Sequence, residues 1–570
     1  MNKSDKHLHL ISLAVTGILI WLSLSLSVQR GLWSSLETQS AQIAREFLEG
    51  GEWIVPHLNG AEDSEKPAFF FWLIALFSAL TGSVSEFSSR LPSFLGALLV
   101  PVLFFSVQKK LKIPALALVS SAIFLSSPKV FWMTQVARMD MVFSCLCFSS
   151  LIFFFFYTQE ESEKRKVFYS CAFFASSGLA VLCKGPIGLL LPFFPVLFFC
   201  LRKKPGCRIR SFFSLRGVAI FVLLVLPWYS AVIVKTEGRF FTKFFLSDNI
   251  GRFLGPSSIP FSEEFSKRQP LWFYIPHFVG GFFPWSLFFL AFLCRSVKAK
   301  KPSPVESLLT IYVIFILVFF SLAGVKRSDY ILPVYPAASL LAAHYAIQAA
   351  SPKTIKNLFF LSAGSLLVFT GILLGLSFLS ADLADPFFSR HFPPADLQKA
   401  ELFLDHLNQI FPHTLSVFAL MGSFFIFAAV RKSRTFYLAA LLSMLTCLLL
   451  YGGLATLSVI NPKRDVRPFC SAVRPVISDH DLRFYGFWND ELVFYLDRFI
   501  DPRTPDKGMG KDELFSLMKQ KDKKIFFLVR KKDYERLLEQ GLKPAYVASA
   551  KSPVLYPVYL MANFYPQEAD

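Results

Sequence analysis

The chain has 570 residues, 54% of them hydrophobic and 67 of them phenylalanine, with a formal net charge of +19. Apolar runs in such number exclude a soluble globular enzyme or a disordered chain and indicate a polytopic α-helical membrane protein. The positive charge does not indicate nucleic acid as a partner, because most Lys and Arg stand in short clusters between apolar runs, as in cytoplasmic loops.

The N-terminus pairs basic residues with an apolar run and shows no convincing cleavage site, so it reads as an uncleaved first helix near 10–28. Residues 29–90 then interrupt the apolar pattern. Ser34 and Glu37 form an S-x-x-E capping box, Leu36, Ile43, Ala44, Phe47 and Leu48 share one face, and Gly50-Gly51 supplies the stop. This spacing predicts an amphipathic helix at a membrane surface. Between 29 and 67 there are three Lys or Arg against seven Asp or Glu, so the loop is net negative. Glu65-Lys66-Pro67 places two charges directly before an apolar stretch, where charge is costly unless it pairs or functions. The run 68–82 is short for a span and reads as re-entrant or interfacial.

Thirteen spanning helices are predicted, near 10–28, 91–107, 113–129, 141–157, 167–182, 186–201, 212–234, 271–293, 305–323, 331–349, 357–379, 412–430 and 435–459. With 68–82 left out, QKKLK (108–112), EKRK (163–166), RKKPGCRIR (202–210), RSVKAKK (295–301), SPKTIK (351–356) and RKSR (431–434) fall on one side with the N-terminus. The positive-inside rule makes that side cytoplasmic. The tail then lies outside, which in a bacterial inner membrane is the periplasm. Residues 1–459 read as the membrane domain and 460–570 as a small α/β domain. Within it, FYGFWNDELVFYLDRF and KKIFFLVRK suggest strands, and KDELFSLMKQ and YERLLEQ suggest helices. The nine cysteines show no zinc spacing.

Charged residues recur at the outer helix ends: Arg138 and Asp140, Lys184 in a tight turn, Asp248, Asn249 and Arg252 in the long loop, and Lys326, Arg327, Asp329 and Tyr330. Each has a bland reading. Asp140 suits a helix N-terminus, Lys184 suits an interfacial position, Glu37 caps a helix, and Glu65 pairs with Lys66. Their convergence on the side that should be depleted of cations instead favours a phosphate ligand. The carboxylates beside them suit proton transfer or a divalent cation.

The ordered series AREFLEGGEWIVPHLNG, EKPAFFFWLIALFSALTG, SEFSSRLPS, RMDM (138–141), LCKGPIGLLLP (182–192), LPWYSAV (226–232), FFLSDNIGRF (244–253), LWFYIPHFVGGFFPW (271–285), KRSDYILPVYP (326–336) and ELVFYLDR (491–498) resembles the bacterial lipid-linked sugar transferases. That family includes the aminoarabinose transferase acting on lipid A and is related to the protein O-mannosyltransferases. The resemblance implies a GT-C fold of about thirteen transmembrane helices, with 29–90 as the first periplasmic loop, and a bacterial inner-membrane enzyme. It implies transfer of a sugar from a polyprenyl phosphate to lipid A or another envelope glycan. Lys66, Lys184 and Arg252 then match positions near the lipid phosphate, with Lys326 and Tyr330 beside the substrate. Asp140 and Glu65 match catalytic carboxylates, and Glu37 is a further candidate. Glu65 and Asn249 are the candidate ligands for a divalent metal cation.

The resemblance also shows departures. The family reads P-D-E-x-R-Y where this chain has Ser35-Leu36-Glu37-Thr38-Gln39-Ser40, so the usual acid is Leu36. Asp248-Asn249 replaces E-H, which removes a histidine ligand. An enzyme weakened by the loss at Leu36 is therefore expected; the alternative is a protein that binds a polyprenyl phosphate without transferring sugar.

Overall fold

A computed structural model describes residues 3–202, 212–251, 253, 269–298, 303–376, 411–478, 480–498, 510–520, 523–544, 546–549 and 558–564. Helices α1 (Lys3–Gln29) and α2 (Ser35–Gly50) precede a hairpin, β1 (His57–Leu58) and β2 (Ala61–Glu62). Then follow α3 (Phe69–Thr81), α4 (Glu86–Leu111), α5 (Leu116–Ser126), α6 (Pro128–Thr134), α7 (Met139–Thr158), α8 (Glu163–Lys184), α9 (Ile187–Arg202) and α10 (Leu215–Lys235). The series continues as α11 (Tyr274–Gly281), α12 (Trp285–Lys298), α13 (Pro304–Leu322), α14 (Val334–His344), α15 (Pro352–Leu376), α16 (Phe411–Arg431) and α17 (Arg434–Ala455). Two compact units result. The first comprises 1–26, 64–70 and 92–455; the second comprises 27–63, 71–91 and 456–570.

Among the described residues nine helices are long and apolar enough to cross a membrane, or eleven if each of two bent pairs forms one span. The sequence count of thirteen exceeds that range, although every expected span coincides with a helix. Three causes account for the difference. The expected span 113–129 is bent by 78° between α5 and α6, where extended Ser127 is followed by Pro128 at the start of α6. The expected span 271–293 is bent by 118° between α11 and α12. Helices α9 and α14 have only 16 and 11 residues. Helix α3, at 13 residues, is short as anticipated.

Local chemistry explains several boundaries in the first unit. Helix α13 begins with a complete capping box: Ser303 Oγ accepts from Glu306 N and the Glu306 carboxylate accepts from Ser303 N. Helices α8 and α9 approach so closely that a Cβ on Gly188 would lie 2.4 Å from the backbone of Ala180 and Val181. No side chain fits there, and this contact closes the turn that carries Lys184. Phe104, Phe124 and Phe148 meet edge to face in the interior of the bundle.

In the second unit the tail forms α18 (Arg467–Ile477), β3 (Asp481–Tyr485), α19 (Asp490–Leu496), α20 (Lys511–Lys519), β4 (Ile525–Arg530), α21 (Lys531–Glu539), β5 (Tyr546–Ser549) and β6 (Val558–Ala562). The sheet order is β3-β4-β6-β5, with β3 parallel to β4 and the other pairs antiparallel. The period of two in β4 sorts its side chains to two cores. Phe526 and Leu528 join Phe469, Val473, Leu492 and Val493, whereas Phe527 and Val529 join Leu514 and Leu537. The strand expected at KKIFFLVRK is present. Of the strand expected over FYGFWNDELVFYLDRF (484–499), Phe484 and Tyr485 end β3, whereas Asp490–Leu496 is α19, because Asn489 caps it through Leu492 N at 3.0 Å and its apolar residues recur at helical spacing.

Candidate active site

In the first unit five charged side chains alternate in sign. Lys129 comes from α6, Arg138 precedes α7, Asp140 stands in its first turn, Lys184 ends α8, and Asp329 sits in the short turn Ser328–Ile331. Lys184 Nζ donates to Asp140 Oδ1 at 2.5 Å, and Arg138 Nη2 lies 3.3 Å from Asp140 Oδ2. Arg138 Nη1 donates to Asp329 Oδ2 at 2.6 Å, and Lys129 Nζ donates to Asp329 Oδ1. The ammonium of Lys184 lies 5.0 Å from the centre of the Tyr330 ring and 5.3 Å from that of Phe143. Three cations thus face two carboxylates.

The placement is built locally. Gly185 has φ +89°, and a Cβ there would lie 2.6 Å from the Phe244 ring, so glycine is required where the chain turns after Lys184. Ser93 Oγ donates to the Arg138 carbonyl at 2.9 Å, and Ser144 Oγ donates to the Asp140 carbonyl at 2.7 Å, which fixes the entry into α7. Burial pushes the Asp329 carboxyl upward, but Arg138 and Lys129 outweigh it and hold it well below the ordinary carboxylate range. Burial likewise opposes charge on Arg138, and Asp140 and Asp329 more than restore it.

Asp140, Lys184 and Tyr330, singled out from the sequence, are thus brought together. Lys326 is placed otherwise: its ammonium donates to the carbonyls of Ala323 at 2.6 Å and Gln269 at 3.2 Å. Glu65 is exposed, and Lys66 Nζ donates to the Glu65 carbonyl at 2.8 Å. Asn249 stands beside Gly185 and donates its amide to the Phe244 carbonyl at 2.7 Å. Arg252 lies outside the described residues. Among the described residues no group of three or more His, Cys, Asp or Glu is placed to share a metal ion.

Sequence reasoning missed Lys129, whose only signal was a cation in an outer turn that the charge rule should have left empty. It also misjudged Glu37. Ser34 Oγ does accept from Glu37 N at 3.2 Å, as an N-cap should. The Glu37 carboxylate, however, receives Arg90 Nε at 2.9 Å and Arg30 Nη1 at 3.3 Å, with all three side chains at most 1% exposed. Arg90 also donates to the carbonyls of Ser27 at 3.0 Å, Arg30 at 2.5 Å and Gly31 at 2.7 Å. This buried triad belongs to the second unit. Burial brings Arg30 down to about 10 even with Glu37 opposing it. Leu36 is 37% exposed, and its neighbours Ser35 and Gln39 both donate to Asp490 Oδ2, the latter at 3.1 Å. A carboxylate from α19 therefore reaches the first turns of α2, where the sequence has lost one.

Beside Asp490, burial pushes the Glu491 carboxyl up to about 7; Arg464 opposes this, while Glu37, Asp490 and Asp465 add to it. The sign of the pH effect follows from the raised value. Below about pH 4.5 the group is protonated in both folded and unfolded chains. Between pH 4.5 and 7 the unfolded chain loses this proton and the folded one keeps it, so stability falls as pH rises. The loss is on the order of 3 kcal/mol across that window. Unfolding followed from pH 4.5 to 7.5 should show this decline, and Glu491→Gln should flatten it; an unchanged slope would remove Glu491 as its source.

Known proteins resemble the chain in sequence and in fold. Residues 65–230 match the family profile described as dolichyl-phosphate-mannose-protein mannosyltransferase. An undecaprenyl phosphate-α-4-amino-4-deoxy-L-arabinose arabinosyl transferase of Pectobacterium atrosepticum is 28% identical over 458 residues, 79% of this chain and 76% of that enzyme. The enzyme of the same name from Pectobacterium carotovorum is 30% identical over 63% of this chain, and the match spans 64% of it, less than two thirds. The crystal structure of ArnT from Cupriavidus metallidurans bound to undecaprenyl phosphate superposes with a TM-score of 0.79, covering 98% of this chain and 99% of that one at 20% identity. The chain is similar in sequence to these sugar transferases and shares the fold of the Cupriavidus structure. The polytopic helical fold with its small C-terminal β-sheet unit extends over nearly the whole length.

Proposed function

We propose that the protein is a multi-pass glycosyltransferase of the bacterial inner membrane that moves a sugar from a polyprenyl-phosphate donor to a lipid or glycan acceptor such as lipid A. The observation that carries this reading is the alternating chain Lys129–Asp329–Arg138–Asp140–Lys184, which holds three cations against two carboxylates. The excess of one positive charge suits a phosphate leaving group. In the reaction an acceptor oxygen attacks the anomeric carbon, the bond from that carbon to the lipid phosphate breaks, and the phosphate leaves with its electron pair. Lys184 is placed to stabilise the charge that develops there, with Lys66 and Arg252 joining it on the strength of the resemblance. Asp140 orients Lys184, and it or Glu65 accepts the acceptor's proton. The relatives named above act on undecaprenyl-phosphate aminoarabinose, which makes a lipid-linked amino sugar the first donor to try.

The proposed orientation places the N-terminus in the cytoplasm and the C-terminal unit in the periplasm, with thirteen crossings if the short helices α9 and α14 each cross. It rests on the six basic loops that share one side. A reporter active only in the cytoplasm, fused after Asp570, should be silent; strong signal would overturn the orientation.

The functional reading is tested with purified protein and undecaprenyl phosphate. Lys184→Ala and Arg252→Ala together should weaken lipid binding by at least tenfold, since a charge-assisted contact contributes about 1.5–3 kcal/mol. Unchanged binding in a folded double variant would defeat the phosphate assignment.

A further inference from the structure

We propose that α15, α16 and α17 form a site for an anionic phospholipid, its phosphate held by Lys353, Lys356, Arg431 and Lys432 and an acyl chain seated in a groove along α15. The proposal goes beyond the transferase reading and uses none of the residues on which that reading stands.

The three helices meet at one end. Phe360 of α15 packs edge to face on Phe425 of α16 with ring centres 5.3 Å apart, and Phe359 lies 5.0 Å from the Tyr437 ring of α17. Helix α15 thus begins where α16 ends and α17 starts. Lys353 and Lys356 stand at that junction from α15, Arg431 and Lys432 from the end of α16, and all four are exposed. No Asp or Glu occurs in α15, α16 or α17, so the four cations have no counter-charge on the helices that carry them. Arg434 is engaged otherwise, donating to the carbonyls of Ile347 and Ala350. Those carbonyls follow α14, whose opposite end opens after Asp329, so the junction lies at the other end of the bundle from Lys184.

Aromatic rings hold two of the cations in place. Arg431 Cζ lies 5.4 Å from the centre of the Phe427 ring and 5.7 Å from that of Phe436, and Lys356 Nζ lies 5.9 Å from that of Phe360. Lys432 has φ +50°, where glycine is the usual residue after a helix, so a cationic side chain is kept there at a conformational cost.

Phe360 joins the charge to the groove. The groove has a volume of about 440 Å³ and runs along α15 from Phe360 to Ile372, with Leu361, Gly364, Val368 and Phe369 between them. Gly364 makes the dent, since a Cβ there would meet nothing within 4 Å. Ser365 donates its hydroxyl to the Leu361 carbonyl at 2.8 Å, which leaves the lining apolar. From Phe360 to Ile372 the helix rises about 18 Å, close to the hydrocarbon depth of one leaflet, about 15 Å. An acyl chain laid there brings its phosphate level with Lys356. A zwitterionic headgroup would add a further cation to four that already lack a partner, whereas an anionic one supplies the missing charge.

The experiment uses the full chain in neutral detergent at low salt, titrated with phosphatidylglycerol or chain-matched phosphatidylcholine and followed by native mass spectrometry. Phosphatidylglycerol should bind at least tenfold more tightly. Lys356→Gln with Arg431→Gln should remove that preference, and Lys356→Arg with Arg431→Lys should keep it. Gly364→Leu, which fills the groove and leaves every charge in place, should weaken phosphatidylglycerol binding at least threefold. Thermal unfolding without added lipid shows which variants are folded, and Gly364→Leu tests the site by itself if the charge variants are not. Equal affinity for the two lipids, or an unchanged preference in the folded Gln variant, would overturn the proposal. Unchanged binding in Gly364→Leu would leave a headgroup contact with no seated chain and overturn it too. Displacement of phosphatidylglycerol by equimolar undecaprenyl phosphate would assign the site to a polyprenyl lipid, which also overturns it.

Discussion

Glu37→Gln is expected to unfold the second unit, with a loss of about 3–5 kcal/mol, the usual cost of leaving a buried ion pair with one partner missing. The reason lies in the triad. Arg30 and Arg90 are both fully buried, and Glu37 is the carboxylate that each of them reaches. A neutral amide removes the negative charge that lies between two buried guanidinium groups. Arg30 is already held down by burial and by the nearby Arg90. Thermal unfolding of the purified variant measures the effect directly. A melting temperature within two or three degrees of the unmutated protein, which for a unit of this size corresponds to roughly 1 kcal/mol or less, would show that the triad is dispensable. Activity assays of Glu37 variants have to be read beside this measurement, because loss of fold and loss of a catalytic base give the same silent assay.

Asp140→Asn is expected to lower sugar transfer by at least about 100-fold, the lower range for a group that moves a proton or holds the cation on a leaving group. Asparagine preserves the shape and the helix N-terminal position, so folding should be affected less than chemistry. What it removes is the charge between Lys184 and Arg138. Lys184 would then be free to take other rotamers, and the Michaelis constant for the lipid-linked donor should rise as the turnover falls. Transfer is measured to extracted envelope acceptors at matched protein levels. Full activity in Asp140→Asn would remove the centre of the proposed site.

Much of the fold was legible in the sequence because a bilayer enforces simple rules on length, apolarity and loop charge. Every expected span falls on a helix. The count departed from expectation where Pro128 breaks α5 from α6, and where α9 and α14 are cut short, since hydropathy does not register a bend. In the tail, the part of 484–499 from Asp490 on was misread because a short apolar run suits either a strand or a short buried helix, and the Asn489 cap decided the matter. The site was legible where chemistry and local sequence coincide: Arg138 and Asp140 are neighbours at the start of α7, and Lys184 stands in a glycine turn. Asp329 was noted without its partners, and Lys129 was not noted at all, because their pairing joins residues 200 positions apart. Glu37 was misjudged for the same reason. Its capping role is written within four residues, whereas Arg90 lies 53 positions away.

The second unit also has an order of manufacture. Its first segments, 27–63 and 71–91, leave the ribosome long before 456–570, yet they are completed by it. Asn461 accepts from Gly31 N, Arg467 reaches Glu86 at 3.0 Å, and the Tyr495 hydroxyl accepts from Leu32 N at 2.9 Å and donates to Glu86 at 2.9 Å. At about 5–20 residues per second, the roughly 360 residues between them impose a wait of about 20–70 s. During that interval Glu86 and the Leu32 amide lack these partners, and a nascent chain arrested anywhere in the bundle displays them unsatisfied. A truncation before Thr456 should therefore be cut more readily within residues 27–91, hundreds of positions upstream of its new end, as limited proteolysis of the two chains would show.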